Sequence, residues 1–293
     1  RGVILGVEIM NPRMLERMRT PCRLAAECLT MVGDHLRAGM NTEEINTLVH
    51  EWILEHDGYP SPLHYGNPPF PKSVCTSVNE CVCHGIPTKD QVLKDGDIIN
   101  VDVTMYYPKE QGFHGDTSAT FYIGEPSDEA KHVVETARWA LELGIQAVKD
   151  GARVRDIGRA IQDYVEGEGL SVVREFVGHG VGREFHMPPQ IPHYYDPRAG
   201  KRLRRGMVFT IEPMVNVGDW PTEILSDHWT VLTKDRKLSA QFEHTIAVTR
   251  SGVEVLTARP KLLTNSEDKE WCKLGPLSTP ASVDDGDAAV SAE

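Results

Sequence analysis

Gly96-Asp97-Ile98-Ile99-Asn100-Val101-Asp102 and Gly206-Met207-Val208-Phe209-Thr210-Ile211-Glu212 repeat one pattern: a glycine, an apolar strand, and an acid at the same offset. Upstream lies a second matched pair. Gly39-Met40-Asn41-Thr42-Glu43-Glu44-Ile45 is echoed by Gly151-Ala152-Arg153-Val154-Arg155-Asp156-Ile157, and each opens an amphipathic helix that closes in a glycine-containing turn. Two copies with a period of roughly a hundred residues describe a pseudo-twofold duplication of one αβ unit, not a solenoid. An α+β fold follows. Duplication places Asp102 and Glu212 at equivalent positions about a central axis, where carboxylates from both halves converge.

Asp102 ends the apolar run from Ile98, and Asp116 opens Asp116-Thr117-Ser118-Ala119-Thr120-Phe121-Tyr122-Ile123, which reads as the returning strand. The intervening Tyr107-Pro108-Lys109-Glu110-Gln111-Gly112 is turn-rich. A hairpin folded at Lys109, equidistant from both aspartates, sets them face to face on one side of a sheet. Opposed carboxylates repel unless something cationic lies between them. Taken alone, such a pair is more often a solvated sheet edge. The second half supplies more donors. In Gly178-His179-Gly180-Val181-Gly182-Arg183-Glu184-Phe185-His186 the flanking glycines leave room at His179 for a ligand or ion. Ser239-Ala240-Gln241-Phe242-Glu243-His244-Thr245-Ile246-Ala247-Val248 is an alternating strand with Glu243 on the face opposite Phe242 and His244. A lone strand histidine is usually a satisfied core residue. Together, however, Asp102, Asp116, His179, Glu212 and Glu243 are a set able to seat two adjacent divalent cations. Such a site acidifies water and polarises the carbonyl under attack, the chemistry of a metallohydrolase.

Five motifs in order, His84-Gly85-Ile86-Pro87, Phe113-His114-Gly115-Asp116-Thr117, Gly178-His179-Gly180-Val181-Gly182, Thr210-Ile211-Glu212-Pro213-Met214 and Gln241-Phe242-Glu243-His244-Thr245, resemble the type I methionine aminopeptidases. The match runs from about Glu8 to Ala258. The resemblance implies a pita-bread (aminopeptidase/creatinase-like) fold, a curved antiparallel sheet carrying the metals with two helix pairs on its outer face. The implied activity is removal of the initiator methionine from nascent polypeptides when the next residue is small, by metal-hydroxide attack on the first peptide bond. It assigns Asp102 to one metal, His179 and Glu212 to the other, and Asp116 and Glu243 to both as bridges. It also makes His84, His186 and Glu212 catalytic. In those roles Glu212 takes a proton from the attacking water, while His84 and His186 stabilise the oxyanion and orient the scissile amide. Cys75, Phe185 and Trp229 match the methionine pocket by their offsets from His84, His186 and Glu243, and Phe70 and Tyr65 complete its wall; a thiol and aromatic rings suit a thioether. The ligand set suits cobalt, manganese, iron(II) or zinc better than calcium without choosing among them.

Departures from the family pattern are a longer hairpin between the aspartates, Met187-Pro188 after His186, a loop lengthened or stiffened by Pro68-Pro69, and chain continuing past Pro260. X-Pro aminopeptidases and dipeptidases share the fold and ligand set but are not expected to show His84-Gly85-Ile86-Pro87 beside Cys75. Non-catalytic ribosome- or RNA-binding relatives lose metal ligands, and all five are present here.

A net charge of −12 over 293 residues argues against a nucleic-acid binder. Ribosome contact would fall to a local patch such as Lys201-Arg202-Leu203-Arg204-Arg205, which otherwise reads as a solvated turn. No apolar run approaches the ~18 residues of a membrane span, and no secretory signal pattern opens the chain. The expectation is a soluble intracellular monomer acting on nascent N-termini, cytoplasmic, or in a mitochondrion or plastid if a transit peptide preceded Arg1. Six cysteines in so long a chain are expected to be reduced. Cys81-Val82-Cys83-His84 lacks the spacing and the second pair of a zinc knuckle. The chain divides into an N-terminal segment 1–10, a catalytic domain 11–259 whose first helix opens at Asn11-Pro12 and runs to about Leu36, and an extension 260–293 expected to be disordered from about 275.

Overall fold

Alternation along the strand Ile98–Tyr107 decides which side of the sheet becomes core. Ile99, Val101, Val103 and Met105 are fully buried in the main hydrophobic cluster, so Asn100, Asp102 and Thr104 occupy the opposite face. In the computed structural model, which describes residues 6–259, the partner strand Phe113–Tyr122 runs antiparallel and pairs Ser118 with Asp102 and Asp116 with Thr104. The two aspartates therefore share a face but stand diagonally, not directly opposed as equal spacing from Lys109 suggests. The reason is that both strands run further into the expected turn, pairing Tyr107 with Phe113 around Glu110. Reversal is completed at Gln111, whose φ of 52° is left-handed, and Gly112 donates its N–H to the Tyr106 hydroxyl at 2.9 Å.

The nine-stranded sheet runs Tyr59–Pro60, Ile98–Tyr107, Phe113–Tyr122, Glu243–Val248, Val208–Ile211, Gly178–Gly180, Met187–Ile191. Cys75–Val78 adds to Ile98–Tyr107 and Val253–Val255 to Glu243–Val248, all antiparallel. Ile98–Tyr107 and Val208–Ile211 are thus the equivalent members of the two halves. Backbone detail carries the duplication further. Gly39 and Gly151 have φ of 86° and 87°, and Gly96 and Gly206 have 90° and 88°, values that cost a residue with a Cβ. Gly39 and Gly151 donate to Leu93 and Leu203 at 2.8 and 2.9 Å, while Gly96 and Gly206 donate to Ile123 and Val248 at 2.7 and 2.9 Å.

The helices form two pairs: α1 (Pro12–His35) with α2 (Thr42–Glu55), and α3 (Asp128–Gln146) with α4 (Val154–Gly167). The Asn11 side chain caps α1 by accepting the Met14 N–H at 3.0 Å. Asn41 and Glu44 form a reciprocal capping box on α2. In the second copy Asp156 keeps the return bond to the Arg153 N–H at 2.8 Å. Helix α1 lies so close to Phe113–Tyr122 that a Cβ on Gly115 would stand 2.4 Å from the Pro21 backbone. Packing thus demands the glycine of the His114-Gly115-Asp116 motif. The five described cysteines are free and buried. Among the described residues no helix is long and apolar enough to cross a membrane. The extension 260–293 lies outside the described residues.

Candidate active site

Adjacent strands bring the acids together. Asp102 and Asp116 share the polar face of the hairpin, Glu243 opens its strand directly across from Ser118, and Glu212 follows the last residue of Val208–Ile211. His179 is the middle residue of Gly178–Gly180. Packing demands its flanking glycines: a Cβ on Gly178 would lie 2.4 Å from the Thr210 carbonyl oxygen, and one on Gly180 would lie 2.2 Å from that of Pro188.

The tautomer of His179 follows from its surroundings. Its Nδ1 is 3.0 Å from the Gly180 carbonyl oxygen, which can only accept, so Nδ1 carries the proton and Nε2 presents a lone pair. That Nε2 faces Asp116 Oδ2 at 3.7 Å and Glu212 Oε1 at 3.6 Å. Donor atoms of Asp116, His179 and Glu243 all lie within 4.8 Å of one another. Burial pushes the Asp116 and Glu212 carboxyls up to about 7 and about 8. Burial and then the neighbouring acids push Asp102 and Glu243 well above the usual carboxylate range. Among the described residues no lysine or arginine lines the cavity they share, and none gives Asp102 Oδ1, a buried atom, a hydrogen-bond partner. Carboxylates clustered in a cavity that no lysine or arginine side chain among the described residues neutralises, beside an imidazole lone pair, fit a divalent cation.

A further layer, not picked out from sequence, orients these groups. The Thr104 hydroxyl donates to Asp116 Oδ1 at 2.7 Å. Thr210 donates to Glu212 Oε1 at 2.6 Å and accepts the His179 N–H at 3.0 Å. Gln241 Nε2 reaches Glu212 Oε2 at 3.3 Å, and His193 Nε2 accepts the Glu212 N–H at 3.1 Å. Thr104, Thr210 and Gln241 each sit two residues from an acid, a signal present in the sequence; His193 has none. Thr210→Val, which keeps the shape and deletes the donor, should weaken metal binding ~10–100-fold. Calorimetry on metal-free protein checks this, and an unchanged affinity would show that the hydroxyl does not hold Glu212.

Every residue expected in the site lines one cavity of about 330 Å³: the five donors with His84, His186, Cys75, Phe185, Trp229, Phe70 and Tyr65. Phe176 and Cys83 join them unanticipated. His84 has a left-handed φ of 56° and lies edge-on to Phe176 at 5.6 Å and Trp229 at 6.1 Å; burial lowers its pKa to about 4, keeping the ring neutral. Cys75 stands directly across from Asp102, and burial first, then that acid, hold its thiol well above its ordinary pKa and thus protonated. The Pro68-Pro69 loop has a visible purpose here. The Pro68 carbonyl accepts the Trp229 indole N–H at 3.0 Å, Phe70 meets the ring edge-on at 5.3 Å, and a Cβ on Gly66 would strike that ring at 2.5 Å.

Residues 16–250 match metallopeptidase family M24. The chain is 52% identical over 251 residues to methionine aminopeptidase A of Synechocystis sp., covering 86% of this chain and 97% of that one. The crystal structure of methionine aminopeptidase from Rickettsia prowazekii superposes with a TM-score of 0.83 at 44% identity, over 86% of this chain and 100% of that one. Xaa-Pro dipeptidase from Bacillus anthracis shares the fold at a TM-score of 0.67 and 21% identity, over 87% of this chain and 63% of that one.

Proposed function

The chain belongs to metallopeptidase family M24, among the methionine aminopeptidases, and we propose that its cavity cuts the first peptide bond of nascent chains with two divalent cations held by Asp102, Asp116, His179, Glu212 and Glu243. It is a metal-dependent aminopeptidase that removes the initiator methionine. The observation that carries the site assignment is the convergence of four acids, Asp116 and Glu243 buried and Asp102 and Glu212 partly so, and one oriented imidazole on a cavity with a thiol-and-aromatic wall.

When bound, divalent cations supply Lewis acidity, enough to lower a water's pKa from ~15.7 toward ~7 and to polarise a carbonyl. Asp102, Asp116, His179, Glu212 and Glu243 would hold these cations, the four carboxylates through their oxygens and His179 through the Nε2 lone pair. Glu212, steadied by Thr210 and Gln241, takes the proton as water attacks. His84 and His186, both on the cavity wall, offer ring N–H groups to the developing oxyanion and the scissile amide. Cys75, Phe70, Phe185 and Trp229 enclose the methionine side chain, and Tyr65 closes the wall.

Met-Ala-Ser should be cleaved far faster than Met-Phe-Ser. A bulky second side chain pushes the scissile carbonyl away from the donors, and ~1 Å of misplacement can cost ~10²-fold. Comparing kcat/KM for the two peptides, with Ala-Pro and Leu-Ala-Ser as further substrates, tests this. Equal rates for Met-Ala-Ser and Met-Phe-Ser overturn the small-residue requirement, preference for Ala-Pro overturns methionine excision, and faster removal of Leu than Met overturns the pocket assignment. Metal titration of the same reaction decides which of manganese, iron(II), cobalt and zinc supports it.

A further inference from the structure

The Tyr65 hydroxyl lies 2.8 Å from Nδ1 of His186, a contact between residues 121 apart in sequence. A pocket-wall role for Tyr65 requires only its ring. The hydroxyl has a separate consequence. An imidazole donates from Nε2 only when Nε2 carries the proton, which leaves Nδ1 as an acceptor. A carbonyl against Nδ1 enforces the reverse, as Gly180 does for His179. A phenol against Nδ1 can supply the proton that an acceptor Nδ1 needs. We infer that Tyr65 is a positioning residue whose O–H donates to His186 Nδ1, fixing the Nε2–H tautomer and aiming that N–H at the substrate. Neighbouring histidines are thereby held in opposite tautomers: His179 with a free lone pair on Nε2, and His186, its ring centroid 4.1 Å away, with a proton there.

The rest of the loop keeps the hydroxyl in place. Tyr65 donates its N–H to the Pro62 carbonyl at 3.0 Å and accepts the Phe70 N–H at 2.8 Å, while His64 donates to Phe70 at 2.8 Å. Its ring leans on Phe185 at 4.9 Å and on His186 at 5.0 Å. Since the same loop anchors Trp229 through Pro68, one stretch of chain sets both the pocket wall and the imidazole beside it.

This inference rests on the aminopeptidase reading for its kinetic arm and is independent of it for its spectroscopic arm. Tyr65→Phe keeps the ring and removes the hydroxyl. With Met-Ala-Ser and saturating metal, kcat should fall ~10-fold or more, short of the ~10²–10³ that follows outright loss of an oxyanion donor. KM and calorimetric metal affinity should stay close to wild type. On a His186→Ala background the same substitution should cost nothing further, because the two residues act as one unit. In ¹⁵N-histidine-labelled protein, His186 should show an unprotonated Nδ1 and a protonated Nε2, and Tyr65→Phe should mix the tautomers without altering His179. A protonated Nδ1 in wild type overturns the inference, as does a rise in KM with kcat preserved, or a full additional loss on the His186→Ala background. If wild type itself fails to cleave Met-Ala-Ser, the functional reading falls, and the tautomer measurement still decides the role of Tyr65.

Discussion

Asp116→Ala is expected to lose turnover and bound metal together, well beyond the ~10–100-fold that an outer partner costs. Its carboxylate clusters with His179 and Glu243 within 4.8 Å, and Thr104 aims the Oδ1 oxygen. Asp116 is also one of four clustered acids, and its charge is among the causes, after burial, that push Asp102 and Glu243 upward. Removing it should therefore leave the metal-free protein no less stable than metal-free wild type. Melting curves with and without a chelator separate the two effects: added metal raises the Tm of wild type by mass action and leaves that of the variant unmoved. A variant that kept its metal and a near-normal kcat would remove Asp116 from the centre.

His84→Ala has the next largest expected effect and the opposite metal signature. The variant should bind metal like wild type while kcat falls ~10²–10³-fold, the usual cost of one oxyanion donor. The ring is partly buried and neutral, with one N–H to offer. His84→Asn should recover part of the rate, because asparagine tolerates the left-handed φ of 56° and keeps a donor. Metal analysis beside kcat is the check. Loss of metal in His84→Ala would move that histidine among the ligands.

The duplication and the five candidate donors that line one cavity were legible because strand period and glycine position are local properties. Asp102, Thr104, Asp116 and Ser118 share a face whatever the exact turn, so moving the reversal from Lys109 to Glu110 changed which residues oppose and left the faces unchanged. The glycines beside His179 show the limit of local reasoning: the packing that demands them comes from the Thr210 and Pro188 carbonyls, which only the folded sheet brings against them. His84, His186 and the pocket residues came from family resemblance, since nothing in the spacing of Cys75, Phe185 and Trp229 brings them together. The Tyr65–His186 contact was illegible for the same reason. Phe176, flanked by Glu175 and Val177, carried no periodic signal at all.

The paired glycine turns at Gly39 and Gly151, and at Gly96 and Gly206, bear on how such a centre can exist in one chain. The first half contributes Asp102 and Asp116, the second His179, Glu212 and Glu243, and cross-bonds such as Thr245 Oγ1 to the Asp116 carbonyl and Asn100 Nδ2 to the Gln241 carbonyl tie them together. Neither half expressed as a fragment holds all five of the residues proposed to bind metal. A lone unit of this kind could complete one only by meeting another copy, at a rate set by its own abundance. Covalent fusion replaces that encounter with a tether, whose effective concentration is typically on the order of 1 mM when the linker is short, so the catalyst forms as readily from one molecule as from many.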